Sequence, residues 1–137
     1  MRLLGVDYGG TRVGLALGDT ETGLAGPWKV LTRKDDSQLL QELVEIVRQE
    51  AIDLLVIGLP HPLADQQRDT DQTQRIREFI ELVRTSGLSV VEENETWSSS
   101  LAAKQGMEAG LRGKRDELAA ANILQGYLDR YGIGGSE

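Results

Sequence analysis

Apolar positions along the chain change period several times, and each change predicts an element. Residues 2–7, Arg-Leu-Leu-Gly-Val-Asp, form a short apolar run that ends on an acid, which predicts a buried strand. In residues 12–18, Val13, Leu15 and Leu17 alternate with smaller residues and predict a second strand. Tyr8-Gly9-Gly10-Thr11 between them is a tight turn, so the two strands should pair as an antiparallel hairpin. A looser stretch over 19–27 should lead to a third strand over 28–31. The period then lengthens. Leu39, Leu40, Leu43, Val44 and Val47 make a helical stripe over about 37–50, with Asp36 or Ser37 as its cap.

The second half alternates. Residues 53–58 carry Leu54-Leu55-Val56-Ile57 and predict a strand, followed by a Pro-bearing polar loop through 69. Ile76, Phe79, Ile80 and Val83 predict a helix over 70–85, ended by Gly87. Residues 88–91 predict a strand extending toward Glu93. A helix over 98–108, a basic loop over 110–115 and a last helix over 116–131 complete the pattern. A meander of strands followed by alternating helices and strands predicts an α/β fold. Its mixed sheet would have helices on both faces. With no repeat and no linker, residues 1–131 should be one domain and 132–137 a frayed tail.

Composition narrows the chemistry. At 137 residues the chain can bury a core without staples. It has no cysteine and one histidine, His61, so a thiolate site, a thiol nucleophile and a poly-histidine metal site are excluded within one chain. A bound metal would be held mostly by carboxylates, which favours Mg²⁺ or Mn²⁺. The formal net charge of −7 excludes a general basic coat for nucleic acid. Binding a polyanion would therefore need a local basic patch or a metal. No run approaches the roughly 18 apolar residues of a membrane span. The start lacks an export signal, so the cytoplasm is expected.

Three acids stand in telling places. Asp7 ends the first strand, either as a turn cap before Gly9 or as a metal ligand. Glu95 lies just beyond the strand at 88–91, within an acidic loop that would also suit a helix start. Asp116 shares a helical face with Ala120, Ile123 and Tyr127 at spacings of four, seven and eleven. An ionised carboxylate on that apolar face needs a partner, a metal or the N–H groups of the first turn. Together the three could converge and hold one or two divalent cations, the arrangement that hydrolyses phosphodiesters.

The stretch Leu4-Gly5-Val6-Asp7-Tyr8-Gly9-Gly10-Thr11-Arg12-Val13-Gly14 resembles the opening of the YqgF/RuvX family. The resemblance continues through Val56-Ile57-Gly58-Leu59-Pro60 and Glu95-Thr96-Trp97-Ser98-Ser99. It ends in the run from Asp116 to Leu128. Members are described as Holliday-junction-resolvase-like proteins or candidate pre-16S rRNA nucleases. The resemblance implies an RNase H-like fold with a five-stranded sheet and an acidic triad at Asp7, Glu95 and Asp116. It also implies a divalent-metal-dependent endonuclease (Mg²⁺ or Mn²⁺) that acts on structured nucleic acid. Maturation of the 16S rRNA 5′ end is the implied role, with resolution of branched DNA as the alternative. Two features depart from the family pattern. Its usual Asp-Glu-Arg is Asn94-Glu95-Thr96 here, and His61-Pro62-Leu63-Ala64-Asp65 replaces a run richer in Asn and Gly. Thr96 offers one donor where Arg offers several.

Around the acids, Thr11, Arg12 and Ser98 could contact phosphate. Arg112, Lys114 and Arg115 form the best basic patch of the chain, with a solvated loop as the plainer reading. Trp97 could stack on an unpaired base or simply pack. Two other functions fit parts of the pattern. Asp7-Tyr8-Gly9-Gly10-Thr11 also looks like the first phosphate loop of sugar kinases and actin-like ATPases, which close two domains over a nucleotide. The acidic balance and the Asn94/Thr96 departures suit a non-catalytic module that binds nucleic acid or protein. No membrane partner is expected, and a monomer and a homodimer are both compatible with the sequence.

Overall fold

The hairpin forms where the alternation places it. Strands β1 (Arg2–Tyr8) and β2 (Arg12–Asp19) pair antiparallel from Arg2↔Asp19 to Tyr8↔Val13. The structure, a computed structural model, describes residues 1–9, 11–60, 71–95 and 115–131. For Pro60, Asp71, Gln72, Asn94, Glu95 and residues 115–117 it describes the backbone alone. Strand β3 (Leu24–Thr32) starts earlier than the expected 28–31 and runs along β2 for its whole length. The cause is remote in sequence. The Gln125 side chain accepts from the Ala25 N–H at 2.9 Å and donates to the Gly23 carbonyl at 2.9 Å, which fastens the start of the edge strand. A register shift between Leu15 and Ala16 absorbs one extra β3 residue opposite β2.

Helix α1 (Asp36–Gln49) follows, one residue ahead of the predicted span. Its cap is Asp35, whose carboxylate accepts from the Gln38 N–H at 2.8 Å, so the cap lies one residue before the expected pair. Strand β4 (Leu54–Pro60) pairs parallel with β1, and strand β5 (Val90–Glu95) pairs parallel with β4. Helix α2 (Asp71–Thr85) lies between them in sequence, and Gly87 beyond its end has φ +99°, a value glycine adopts freely. β5 starts and ends later than predicted because the β4 ladder, from Leu55↔Val90 to Pro60↔Glu95, carries it two residues past Glu93. Helix α3 (Arg115–Tyr131) closes the fold. The helix expected over 98–108 lies outside the described residues.

The five strands form one mixed sheet in the order β3-β2-β1-β4-β5. Its two faces bury separate cores. On one, Leu4, Val6, Val13, Leu15, Leu55 and Ile57 meet Leu39 and Leu43 of α1 and Ile76, Phe79 and Val83 of α2. On the other, Leu3, Ala16 and Val56 meet Ala120, Ile123, Leu124 and Leu128 of α3. Among the described residues no helix is long and apolar enough to cross a membrane.

Candidate functional site at the carboxyl edge of the sheet

Strand alternation decides which face each acid serves. Leu3 packs in the α3 core, and a Cβ on Gly5 would lie 2.9 Å from both the Ala120 carbonyl oxygen and the Leu124 Cβ. Asp7 is the next residue of that series, so its side chain belongs to the α3 face, where it is half-buried. Leu4, Val6 and Tyr8 face α1 and α2.

The close approaches also fix the direction of α3. A Cβ on Gly18, the ladder partner of Leu3, would meet Leu124 and Leu128, whereas one on Gly5 meets Ala120 and Leu124. Helix α3 therefore runs antiparallel to β1. Asp116 lies one turn before Ala120, roughly 6 Å back along the axis. Asp7 lies two residues past Gly5, roughly 7 Å along the strand. The first turn of α3 and the end of β1 thus sit at one edge of the sheet.

The same edge receives β5. Val6 is level with Ile57, and Ile57 with Glu92, so the row through Asp7 continues through Gly58 and Glu93. Position 95 is two residues farther along. From Asp7 it is roughly 10 Å across two strands and roughly 7 Å along them. It belongs to the alternate series of Val91 and Glu93, which face α3. The backbone thus brings positions 7, 95 and 116 to one edge and one face. Among described side chains, no group of three acids or histidines suited to a metal occurs; of the predicted triad, only Asp7 has its side chain described.

Thr11 and Arg12 lie at this edge too, both exposed, in the turn and at the first residue of β2. Arg115 is the first residue of α3. Trp97, Ser98, Arg112 and Lys114 lie outside the described residues, as do His61 and Thr96.

Two side chains beside the site escaped the sequence reading. Glu93 is 4% exposed and level with Asp7 on the α3 face. It pairs with Arg130 through Oε2 at 3.1 Å, and Oε1 accepts from the same guanidinium at 3.3 Å. Burial pushes its carboxyl above the ordinary range, against the pull of Arg130. The alternation Val91-Glu93-Glu95 could have put it on the inner face, but nothing local announces Arg130. Tyr8, on the other face, is 4% exposed, and its hydroxyl donates to Asp36 Oδ1 at 2.7 Å. Burial first, then that carboxylate, pushes its pKa up to about 12, so it remains a donor.

Glycines allow α3 to approach the sheet. A Cβ on Gly58 would lie 2.3 Å from Ile123 Cδ1, and one on Gly126 would lie 3.5 Å from Glu93 Oε2. Gly5 and Gly18 allow the same close approach.

Comparison with known proteins identifies the family and the fold. A family profile described as "RuvX: Holliday junction resolvase" matches residues 1–130. A relative from Maridesulfovibrio salexigens is 36% identical over 95% of this chain and 99% of its own. One from Agathobacter rectalis is 34% identical over 94% and 95%. One from Thermus thermophilus is 33% identical over 95% and 98%. Each is named as a candidate pre-16S rRNA nuclease. Among solved structures, Thermus thermophilus RuvC aligns with a TM-score of 0.59 at 14% identity, over 96% of each chain. The Fowlpox virus resolvase bound to Holliday junction DNA aligns with a TM-score of 0.58 at 14% identity, over 96% of this chain and 99% of the other. These likenesses bear on the fold, which is RNase H-like. By the match over residues 1–130 and by relatives that align end to end, the chain belongs to the RuvX family.

Proposed function

We propose that this chain is a divalent-metal-dependent endonuclease that hydrolyses phosphodiester bonds in structured RNA, with Asp7, Glu95 and Asp116 as its catalytic carboxylates. The observation that carries the reading is Asp7. It is a half-buried acid at the end of a central strand, on the face covered by α3, at the edge that the end of β5 and the first turn of α3 also reach. All three candidates offer hard oxygen donors, and neither cysteine nor a second histidine competes for the site. They fit Mg²⁺ or Mn²⁺, which when bound would polarise the phosphodiester and lower the pKa of the attacking water.

The chain's own groups do the rest. Asp7 sets the position of the site relative to the sheet, because β1 is hydrogen-bonded on both sides and cannot shift without its neighbours. Asp116 enters at a helix start, where the first-turn N–H groups favour negative charge. Thr11, Arg12 and Arg115 would hold substrate phosphates at the same edge, with Ser98, Arg112 and Lys114 contributing from the segment before α3. Trp97 would stack on an unpaired base. Hydrolysis breaks one P–O ester bond and adds the oxygen of water to phosphorus.

The names of the relatives make pre-16S rRNA the first substrate to test, with the cut proposed at its 5′ end, in the cytoplasm. The family description supports a second substrate, branched DNA. The experiment offers labelled precursor rRNA fragments and four-way DNA junctions to the protein with Mg²⁺, Mn²⁺ or EDTA. Site-selective cleavage of the RNA is expected, lost in EDTA and reduced at least about 100-fold in a folded Asp7→Asn variant. Cleavage of the junction alone would move the assignment to DNA. Cleavage that survives EDTA or Asp7→Asn would refute the proposed site.

A further inference from the structure

Strand alternation sends Asp7 to the α3 face and Tyr8 to the α1/α2 face. Asp7 precedes a turn, so the precision of its carboxylate depends on how firmly residue 8 is held. Tyr8 is held at several points. Its ring lies 5.0 Å from that of Phe79, tilted by 33°. The Arg33 guanidinium sits over the ring, 5.0 Å from its centroid. Its hydroxyl donates to Asp36 Oδ1 at 2.7 Å, and Arg33 Nη1 reaches the same oxygen at 3.2 Å. The Arg33 backbone N–H also donates to the Thr11 carbonyl at 2.7 Å. Both flanks of the β1–β2 turn are therefore fastened to the segment joining β3 to α1.

Packing alone does not explain the hydroxyl. Phenylalanine would fill the same space against Phe79, and a buried hydroxyl costs free energy unless it finds a partner. Nor does capping account for Asp36, since Asp35 caps α1. We propose that Tyr8 is a positioning residue, and that its hydroxyl tether to Asp36 holds the end of β1 so that Asp7 presents a fixed carboxylate to a divalent cation. The inference rests on the reading of Asp7 as a metal ligand. Outer partners that hydrogen-bond a ligand directly commonly change metal affinity by about 10- to 100-fold; this tether acts through the backbone of the neighbouring residue, so the lower end of that range is expected.

The test is Mn²⁺ affinity by isothermal titration calorimetry, beside a thermal melt, for the full chain and five variants. Tyr8→Phe removes only the hydroxyl, and Asp36→Ala removes its acceptor. Asp36→Asn keeps a carbonyl oxygen that can accept the same bond. Ile46→Val trims the α1 core away from the strand end and controls for lost stability, and Asp7→Asn removes the ligand. Tyr8→Phe and Asp36→Ala should each weaken Mn²⁺ binding about tenfold. Asp36→Asn should recover most of the loss, and Ile46→Val should bind as the parent does. Parent-like affinity in Tyr8→Phe, or an equal loss in Ile46→Val, would overturn the positioning role while leaving Asp7 a ligand. Parent-like affinity in Asp7→Asn would instead remove the metal site itself, and the tether's purpose with it.

Discussion

Glu93 and Arg130 divide their surroundings unequally. The carboxylate is shielded from water, while the arginine is 54% exposed and keeps most of its hydration. Losing either partner should therefore have different effects. Arg130→Met keeps the apolar stem but leaves a buried carboxylate without its cation, at a cost of about 2 kcal/mol. Glu93→Gln removes the buried charge and frees an arginine that already reaches solvent, so it should cost less. The pH dependence follows from linkage. The Glu93 carboxyl is raised by burial above its ordinary 4.5, so in the window above 4.5 the folded chain holds a proton the unfolded chain has lost. Its contribution is fully present below that window and is lost as pH rises through the folded value. Urea unfolding from pH 4 to 8 should show Glu93→Gln gaining on the parent as pH rises. A parent that gained on the variant over that range would contradict this account. The pairing with Arg130 also explains why Glu93, though level with Asp7, is not proposed as a ligand.

The seating of α3 is set at the scale of elements. Helix α3 lies against β1, β2 and β4 where Gly5, Gly18 and Gly58 leave out a side chain. The obstacles a new Cβ would meet differ in kind. At Gly5 it would meet the Ala120 carbonyl oxygen and the Leu124 Cβ, which cannot swing aside. At Gly58 it would meet Ile123 Cδ1, the end of a side chain, though a buried one. Gly5→Ala should thus lift the helix and cost about 3 kcal/mol, and Gly58→Ala about 1–2 kcal/mol. Ile123→Val removes Cδ1, the nearest of the colliding atoms, and leaves Cγ1 at 2.9 Å, so Gly58→Ala/Ile123→Val should be more stable than the sum of the single changes predicts, with part of the cost remaining. A double-mutant cycle by chemical denaturation measures that coupling. Because Asp116 rides on α3, Gly5→Ala should also reduce cleavage at the proposed site more than its stability loss alone explains.

For the whole molecule, the proposed function sets an acidic chain against an acidic polymer. With a net charge of −7, long-range attraction to RNA is absent and affinity must come from local contacts and bound cations. Few phosphates should be neutralised, so binding should weaken gently with salt. On the Asp7→Asn background, which binds without cleaving in this reading, Arg12→Ala should weaken RNA binding and flatten log K against log salt by about 0.7. Fluorescence anisotropy across a salt series reads both effects. An unchanged slope would take Arg12 out of the phosphate contacts.

Much of this arrangement is legible in the chain. A short apolar run marks β1, a period of two marks β2, a period near 3.6 marks α1, α2 and α3, and the short turn at 8–11 makes the first pair a hairpin. Those signals are local because the backbone's own repeat sets which residues share a face. The same rule puts Asp7 at a strand end and Asp116 one turn before Ala120. The motifs that carry the family resemblance are likewise contiguous runs. What the chain could not announce depends on partners far away in sequence. The early start of β3 is held by Gln125, 100 residues from Ala25. The late end of β5 follows from its ladder with β4, the direction of α3 from the glycines it crosses, and the burial of Glu93 from Arg130, 37 residues on. Periodicity determines that a residue faces inward. Only tertiary packing decides what it meets there, because that depends on which elements become neighbours and in which direction they run.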